Sequence, residues 1–170
     1  MEFHLYGGID MARDMYLKMP GIKGESQDKD HKDQIDVLAW SWNASQNVVQ
    51  STGGGRGVSR VNAGDLQITK FVDASSPLLM EATCTGKHFT DVLLTIRKAG
   101  GGQKEYMKWE LKNCIVSSIQ VGAHGEEDRF TETISLNFEE INFGYMPQKP
   151  DGTLGGNIPF GYNVVKNAKV

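Results

Sequence analysis

Stretches in which hydrophobic and polar residues alternate recur along most of the chain. Alternation with a period of two puts successive side chains on opposite faces of a β-strand, so each stretch predicts a strand. Clusters of glycine, proline, asparagine and aspartate separate them, which is typical of turns. The predicted strands are 14–19, 35–44, 61–72, 92–98, 105–112, 114–121, 131–145 and 158–165. The pattern therefore indicates a mainly β protein.

The predicted strand 35–44, IDVLAWSWNA, is apolar on both faces. Val37 points one way, and Leu38, Trp40 and Trp42 point the other way. A strand that is apolar at both parities is buried on both faces. One face belongs to the core, so the other is expected to lie against a second surface. We therefore predict a subunit contact that includes Leu38 and Trp42.

The predicted strand 131–145 changes the face of its apolar residues near Glu139 and Glu140. Such a change of parity requires a bulge or a bend. Long bent strands are how a sheet curls into a barrel. The residues alone thus predict a β-barrel or sandwich with large loops.

One segment, about residues 76–85, predicts a short α-helix. Ser76 is expected to be the N-cap, Pro77 the first helical residue, and Gly86 the left-handed stop. Apolar residues cover more than half of its circumference, and Glu81 carries its one charge. Such a helix covers the core on one side and contacts a second surface on the other, so two of its residues are assigned to a subunit contact: Met80 and Cys84.

The segment 45–60 is predicted to be a long, extended, glycine-rich loop. Loops longer than about 12 residues are uncommon unless they have a function. A phosphate-binding loop is disfavoured, because no Gly-Lys-Ser/Thr sequence follows the glycines and no helix is predicted after them. A projecting arm used in assembly is the favoured interpretation. Its candidate contact residues are Val48, Val49, Gly53, Gly54, Gly55 and Arg56.

The composition of the 170-residue chain limits the class of protein. One domain is expected at this length, spanning 12–170 after a leader of low order at 1–11. A net charge of −3 gives no argument for binding nucleic acid or an anionic membrane. No apolar run reaches the roughly 18 residues of a membrane-spanning helix, so no membrane insertion is expected. The N-terminus lacks the basic and apolar regions of a classical signal peptide.

Chemistry-bearing residues form no recognisable catalytic or metal-binding motif. The four histidines have no second ligand at metal spacing, and no Gly-x-Ser-x-Gly sequence is present. No enzyme, metal or cofactor is therefore expected. Cys84 and Cys114 are expected to be free and mostly buried thiols, with a disulfide as the alternative. Trp40 and Trp42 share a face, which leaves a monomeric carbohydrate-binding β-domain as the alternative function.

Several longer strings identify a family. They are DMYLKMPGIKGESQDKDHKDQIDVLAWSW (14–42), SSPLLMEATCTGKH (75–88), LTIRKAGG (94–101), VSSIQVGAHGEEDRFTETISLNF (116–138) and YMPQKPDG (145–152). Together they resemble the Hcp (haemolysin-coregulated protein) family over nearly all of residues 12–165. The resemblance implies a two-sheet, tail-tube-like β-barrel with one short helix.

The resemblance also implies a function. Hcp-like chains form hexameric rings that stack into the inner tube of a type VI secretion system, inside a contractile sheath and beneath a tip spike protein. Small effectors travel in the ring, and the protein is secreted from the bacterial cytoplasm without a signal peptide. By resemblance, Ser41 and the turn containing His124 face the lumen. His124 departs from the small residue that is common there, and the loop 45–60 departs from the family pattern at Arg56 and at the pair Val48 and Val49.

Overall fold

The computed structural model describes residues 13–50, 56–98, 102–123, 125 and 128–170, so the predicted leader 1–11 lies outside the described residues. The described part is mainly β-sheet with one short helix, as predicted. In chain order the elements are β1 (Arg13–Lys18), β2 (Ile35–Asp36), β3 (Ala39–Ser41), β4 (Ala44–Gln50), β5 (Arg56–Ala63), β6 (Leu66–Phe71), α1 (Ser76–Thr85), β7 (His88–Lys98), β8 (Glu105–Gly122), β9 (Thr131–Asn137), β10 (Glu140–Tyr145), β11 (Ile158–Asn163) and β12 (Ala168–Lys169).

The 18-residue strand β8 pairs with different strands along its two halves. Its first half pairs with β10 from Met107 to Lys112, and its second half pairs with β9 from Ile115 to Gly122. Asn113 lies between the two halves with a φ of 49°. Asparagine tolerates this left-handed conformation better than most residues, so the strand can change direction there without ending. The two strands predicted at 105–112 and 114–121 are therefore one.

The strand pairings run around the core. Their order is β1, β7, β8, β9, β6 and β3, each antiparallel to the next. The segment 35–41 completes the circuit, because β2 pairs with β1 and β3 pairs with β6. Between them, the amide of Val37 donates to the carbonyl of Met15 (2.9 Å) and the amide of Leu38 to that of Thr69 (2.8 Å). The same sheet branches at β8 and continues through β10 and β11 to β12.

The segment 131–145 is two strands, β9 and β10, rather than one bent strand. The break falls at Phe138 and Glu139, where the change of parity predicted a bulge or bend. Phe138 is buried, and the amide of Glu139 donates to the carbonyl of Lys112 (3.1 Å). The break lets β9 and β10 pair with different halves of β8.

Helix α1 occupies the predicted residues, with a correction at its start. Ser75, not Ser76, is the N-cap, and Pro77 is the second helical residue. Gly86 ends the helix at a φ of 65°, where a glycine adopts the left-handed conformation without a Cβ clash. The helix packs against β8 and buries Leu79 and Ala82.

The segment 45–60 is not an irregular loop. Strands β4 and β5 pair antiparallel over most of it and form a separate two-stranded sheet, which we call the arm (44–50 and 56–63). The valines and polar residues on either side of the glycines can alternate as strand residues, which the glycine content concealed. The glycine-rich tip, 51–55, lies outside the described residues.

Candidate assembly surface

The outer side of α1 and the segment between β2 and β3 expose apolar side chains. Leu78 and Met80 are each 38% exposed on the helix, and Leu38 is 42% exposed. Cys84 is also exposed on the helix, whereas Cys114 is buried, and both thiols are free. The core beneath is already filled by residues such as Leu79. These exposed positions are therefore available to a partner rather than needed inside the subunit.

A buried ion pair anchors the start of α1 to the barrel. Lys70 on β6 and Glu132 on β9 face each other across the two strands, and both side chains are fully buried. The Nζ of Lys70 donates to Oε1 of Glu132 (2.5 Å), Oδ1 of Asp73 (2.9 Å), the carbonyl of Phe71 (2.8 Å) and Oγ of Ser76 (3.3 Å). Three N–H donors thus serve four acceptors.

Ser76 connects this ion pair to the helix backbone. Its hydroxyl donates to Oε1 of Glu132 (2.7 Å) and accepts from the amide of Asp73 (3.0 Å). The carboxylate of Asp73 in turn accepts the amide of Ser75 (2.8 Å), the N-cap residue. The helix start is therefore fixed by charge and hydrogen bonds rather than by a side-chain N-cap.

Sequence reasoning missed Lys70 and Glu132, although a signal was present. Lys70 has the same parity as buried Leu66 and Ile68, and Glu132 has the parity of buried Ile134. One cation and one anion at inward positions of two strands predict a buried pair once the strands are known to be neighbours.

A second buried charge, Arg97, lies under the loop between β1 and β2. Its guanidinium donates to Asp28, to the hydroxyl of Tyr16 (3.0 Å) and weakly to Asp14 (3.4 Å). The ring of His31 stacks on Tyr16 with centroids 4.3 Å apart. This loop covers the outer face of the sheet and buries the side chains of Ser26 and His31.

The two groups that Arg97 contacts, Asp28 and Tyr16, have shifted pKa values. The hydrogen bond from Arg97 lowers the pKa of the Asp28 carboxyl. Burial, with the negative charge of Asp14, raises the pKa of Tyr16 to about 12. Both shifts favour a charged Asp28 and a neutral Tyr16 at neutral pH, so the loop is held by an ionic contact.

The arm is joined to the barrel at its base. The indole N–H of Trp42 donates to the carbonyl of Gly64 (3.0 Å), and the amide of Gly64 donates to the carbonyl of Asn43 (2.9 Å). Farther along β5, Arg60 contacts the turn after β11. Val48 is 58% exposed on the arm. The remaining predicted arm contacts lie where no side chain is described: Val49, Gly53, Gly54, Gly55 and Arg56.

Trp40 and Trp42 both pack on a third tryptophan, Trp109. The ring centroids lie 5.2 and 5.5 Å from that of Trp109, and Phe143 contacts Trp109 at 4.4 Å. Both indoles are half-buried against the core. Carbohydrate binding needs exposed aromatic faces, so this packing weakens the alternative of a sugar-binding domain.

The comparisons decide the family. A family model described as "Type VI secretion system effector, Hcp" matches residues 16–145. The chain is also 48% identical over 161 residues to Protein hcp1 of Pseudomonas aeruginosa, with 94% of this chain and 99% of that protein covered. The chain belongs to the Hcp family.

Solved structures agree with this assignment. One described as a type six secretion system protein superposes on this Hcp chain with a TM-score of 0.87 at 33% identity, covering 94% of this chain and 100% of that one. The crystal structure of Hcp1 from Salmonella typhimurium gives a TM-score of 0.76 at 31% identity, with the same coverage. This Hcp is therefore a structural, secreted component of a type VI secretion system, and Hcp is not a known enzyme family.

The two residues assigned to the lumen remain predictions for this Hcp. Ser41 is exposed at the end of β3, opposite Gln67 of β6. His124 lies outside the described residues. Across the described ranges, no cluster of three or more His, Cys, Asp or Glu side chains is placed to hold a metal ion. Within the same part of the chain, no helix has the length and apolar character needed to cross a bilayer.

Proposed function

We propose that this Hcp forms homohexameric rings, that the rings stack into the inner tube of a type VI secretion system, and that small effector proteins travel in the lumen. The family match over residues 16–145 supports a tube subunit. The tube then works inside a contractile sheath and beneath a tip spike protein. The protein resides in the bacterial cytoplasm before firing and is exported with the tube.

The observation that carries the proposal is the apolar surface outside a filled core. Leu38 and Met80 keep roughly 40% of their surface exposed. Burying the remainder would contribute about 1 kcal/mol for each side chain. A ring of identical subunits uses heterologous contacts, in which one patch meets a different patch on the neighbour. We propose that Leu38, Met80 and Cys84 lie in such a contact, with Trp42 supporting it from the core side.

The arm supports stacking. A two-stranded hairpin is marginally stable alone in water, so a projecting one needs a surface to pack on. Val48 is largely exposed on β4 and offers an apolar contact. We propose that the arm of one ring packs on the next ring through Val48, Val49, Gly53, Gly54, Gly55 and Arg56.

The mass of the particle tests the ring. Light scattering at micromolar concentration should give about six times 18.8 kDa. Leu38→Asp should lower the mass to one subunit, because burying an unpaired carboxylate costs several kcal/mol. Val165→Asp is the matched control, since Val165 is 64% exposed but lies on the C-terminal turn. A wild-type monomer, or a Leu38→Asp hexamer, would contradict the proposal.

Electron microscopy tests stacking. Deletion of residues 48–58 should leave the ring mass unchanged and shorten the stacks of rings. If the ring mass also falls to that of a monomer, the arm belongs to the lateral contact instead.

Effector recovery tests the lumen. Ser41→Arg places a long cation at the proposed luminal surface, so it should reduce the effector protein that co-purifies with intact rings. Unchanged recovery would place Ser41 outside the lumen.

A further inference from the structure

A bulge in β5 directs Arg60 away from the regular ladder of the arm. The pairing passes from Gln46–Val61 directly to Val48–Val58, so Asn47 faces two residues of β5, 59 and 60. A bulge of this kind bends the strand and re-aims a side chain. The sequence pattern gives no sign of it.

The re-aimed Arg60 reaches the turn between β11 and β12. Its Nη2 donates to the carbonyl of Val164 (2.5 Å) and to that of Val165 (2.7 Å). One guanidinium nitrogen carries two hydrogens, so both carbonyls can be bound at once. These are charge-assisted bonds, which are stronger than bonds between neutral groups.

The turn 164–167 is held in place by hydrogen bonds from and to nearby side chains. The amide of Lys166 donates to Oδ1 of Asn163 (2.8 Å), and the hydroxyl of Tyr162 donates to Oδ1 of Asn167 (2.7 Å). Asn163 is buried and donates to Glu139 (3.3 Å). The carbonyls bound by Arg60 therefore belong to a turn that hydrogen bonds hold in place between β11 and β12.

A separate set of contacts holds the base of the arm. Trp42 and Asn43 bind Gly64 at the base, below the paired strands. Arg60 lies beyond this base, so its contact restrains the arm against swinging about it. We propose that Arg60 positions the arm: it ties β5 to the turn 164–167, so that the arm and the C-terminal turn behave as one unit. The coupling itself does not depend on the proposed function, whereas its consequence for ring stacking does.

Hydrogen–deuterium exchange tests the coupling. Arg60→Ala should make the paired amides of β4 and β5 exchange about tenfold faster, because the arm opens more often. The amide of Lys166 should also exchange faster, since a coupling between two sites is reciprocal. The amides of β7 and β8 should be unaffected. Arg129→Ala is the matched control, because it removes the same charge from a distant contact over the ring of Phe71 (4.0 Å).

The outcomes separate the two proposals. Unchanged exchange in Arg60→Ala, or faster exchange in the arm without any change at Lys166, would overturn the role of Arg60. Where wild-type rings stack, Arg60→Ala should keep the ring mass and give fewer or shorter stacks by electron microscopy. If wild-type rings never stack, the proposed function fails, while the exchange result still decides whether Arg60 holds the arm.

Discussion

Replacing Lys70 with methionine should be among the most damaging single changes in this protein. Lys70 and Glu132 are both fully buried, and 2.5 Å separates their charged atoms. Methionine fills a similar volume, so the change chiefly removes the cation. Glu132 would then keep the hydroxyl of Ser76 as a donor for Oε1, while its Oε2 already has no hydrogen-bond partner among the described residues. Leaving one charge of a buried pair uncompensated costs about 3–5 kcal/mol.

Urea unfolding at a fixed protein concentration measures this cost. In a chain of this size, 1 kcal/mol corresponds to about 2–4 °C in the melting temperature, so a thermal scan gives an independent check. The matched control is Lys112→Met, because Lys112 is 41% exposed and pairs with Asp91 at 3.0 Å. An exposed pair contributes only about 0–1 kcal/mol.

The double variant Lys70→Met, Glu132→Leu distinguishes the cost of leaving Glu132 without its cation from the cost of altered packing at these two positions. Replacing both partners of a buried pair by apolar residues is often neutral, so the double variant should recover most of the stability lost in Lys70→Met. The reasoning is refuted if Lys70→Met costs no more than Lys112→Met. It is also refuted if the double variant is less stable than Lys70→Met alone.

Two further predictions concern the shifted pKa values of Asp28 and Cys114. Asp28 has a pKa below its usual value because of the hydrogen bond from Arg97, so its contribution to stability is present above about pH 4 and is lost as the pH falls through the folded-state pKa. Asp28→Asn should therefore destabilise the protein at pH 7, and this effect should shrink as the pH falls below about 4. An effect of equal size at every pH would contradict this. In the monomeric Leu38→Asp variant, where the proposed subunit contact is open, a thiol reagent should label Cys84 rapidly at pH 8 and spare Cys114, whose pKa burial raises to about 12, and equal rates by mass spectrometry would show that the core opens.

The sequence predicted the elements whose local signals agree with their packing. Helix α1 has its bounds set by the serines before Pro77 and by Gly86, and the structure places the helix at the predicted residues. The alternation in 92–98 predicted a strand, and β7 contains all of these residues. The two strands of the predicted arm were missed because its glycines resemble a loop and because the sequence pattern does not show that β4 pairs with β5. The continuity of β8 was missed because nothing local shows that Asn113 adopts a left-handed conformation within a strand.

Strand β6 links the parts of the proposed assembly surface. On one edge, the carbonyl of Thr69 accepts a hydrogen bond from the amide of Leu38, and this bond fixes the position of the exposed leucine along the strand. From the next residue, Lys70 reaches Ser76 and so fixes the helix that carries Met80. Two apolar patches that are distant in sequence are thus held by adjacent residues of one strand. A surface held rigidly before it meets its partner loses little conformational entropy on binding, so modest apolar patches can suffice for a ring. It follows that loss of Lys70 should weaken ring assembly as well as folding, even though Lys70 itself is inaccessible to a partner.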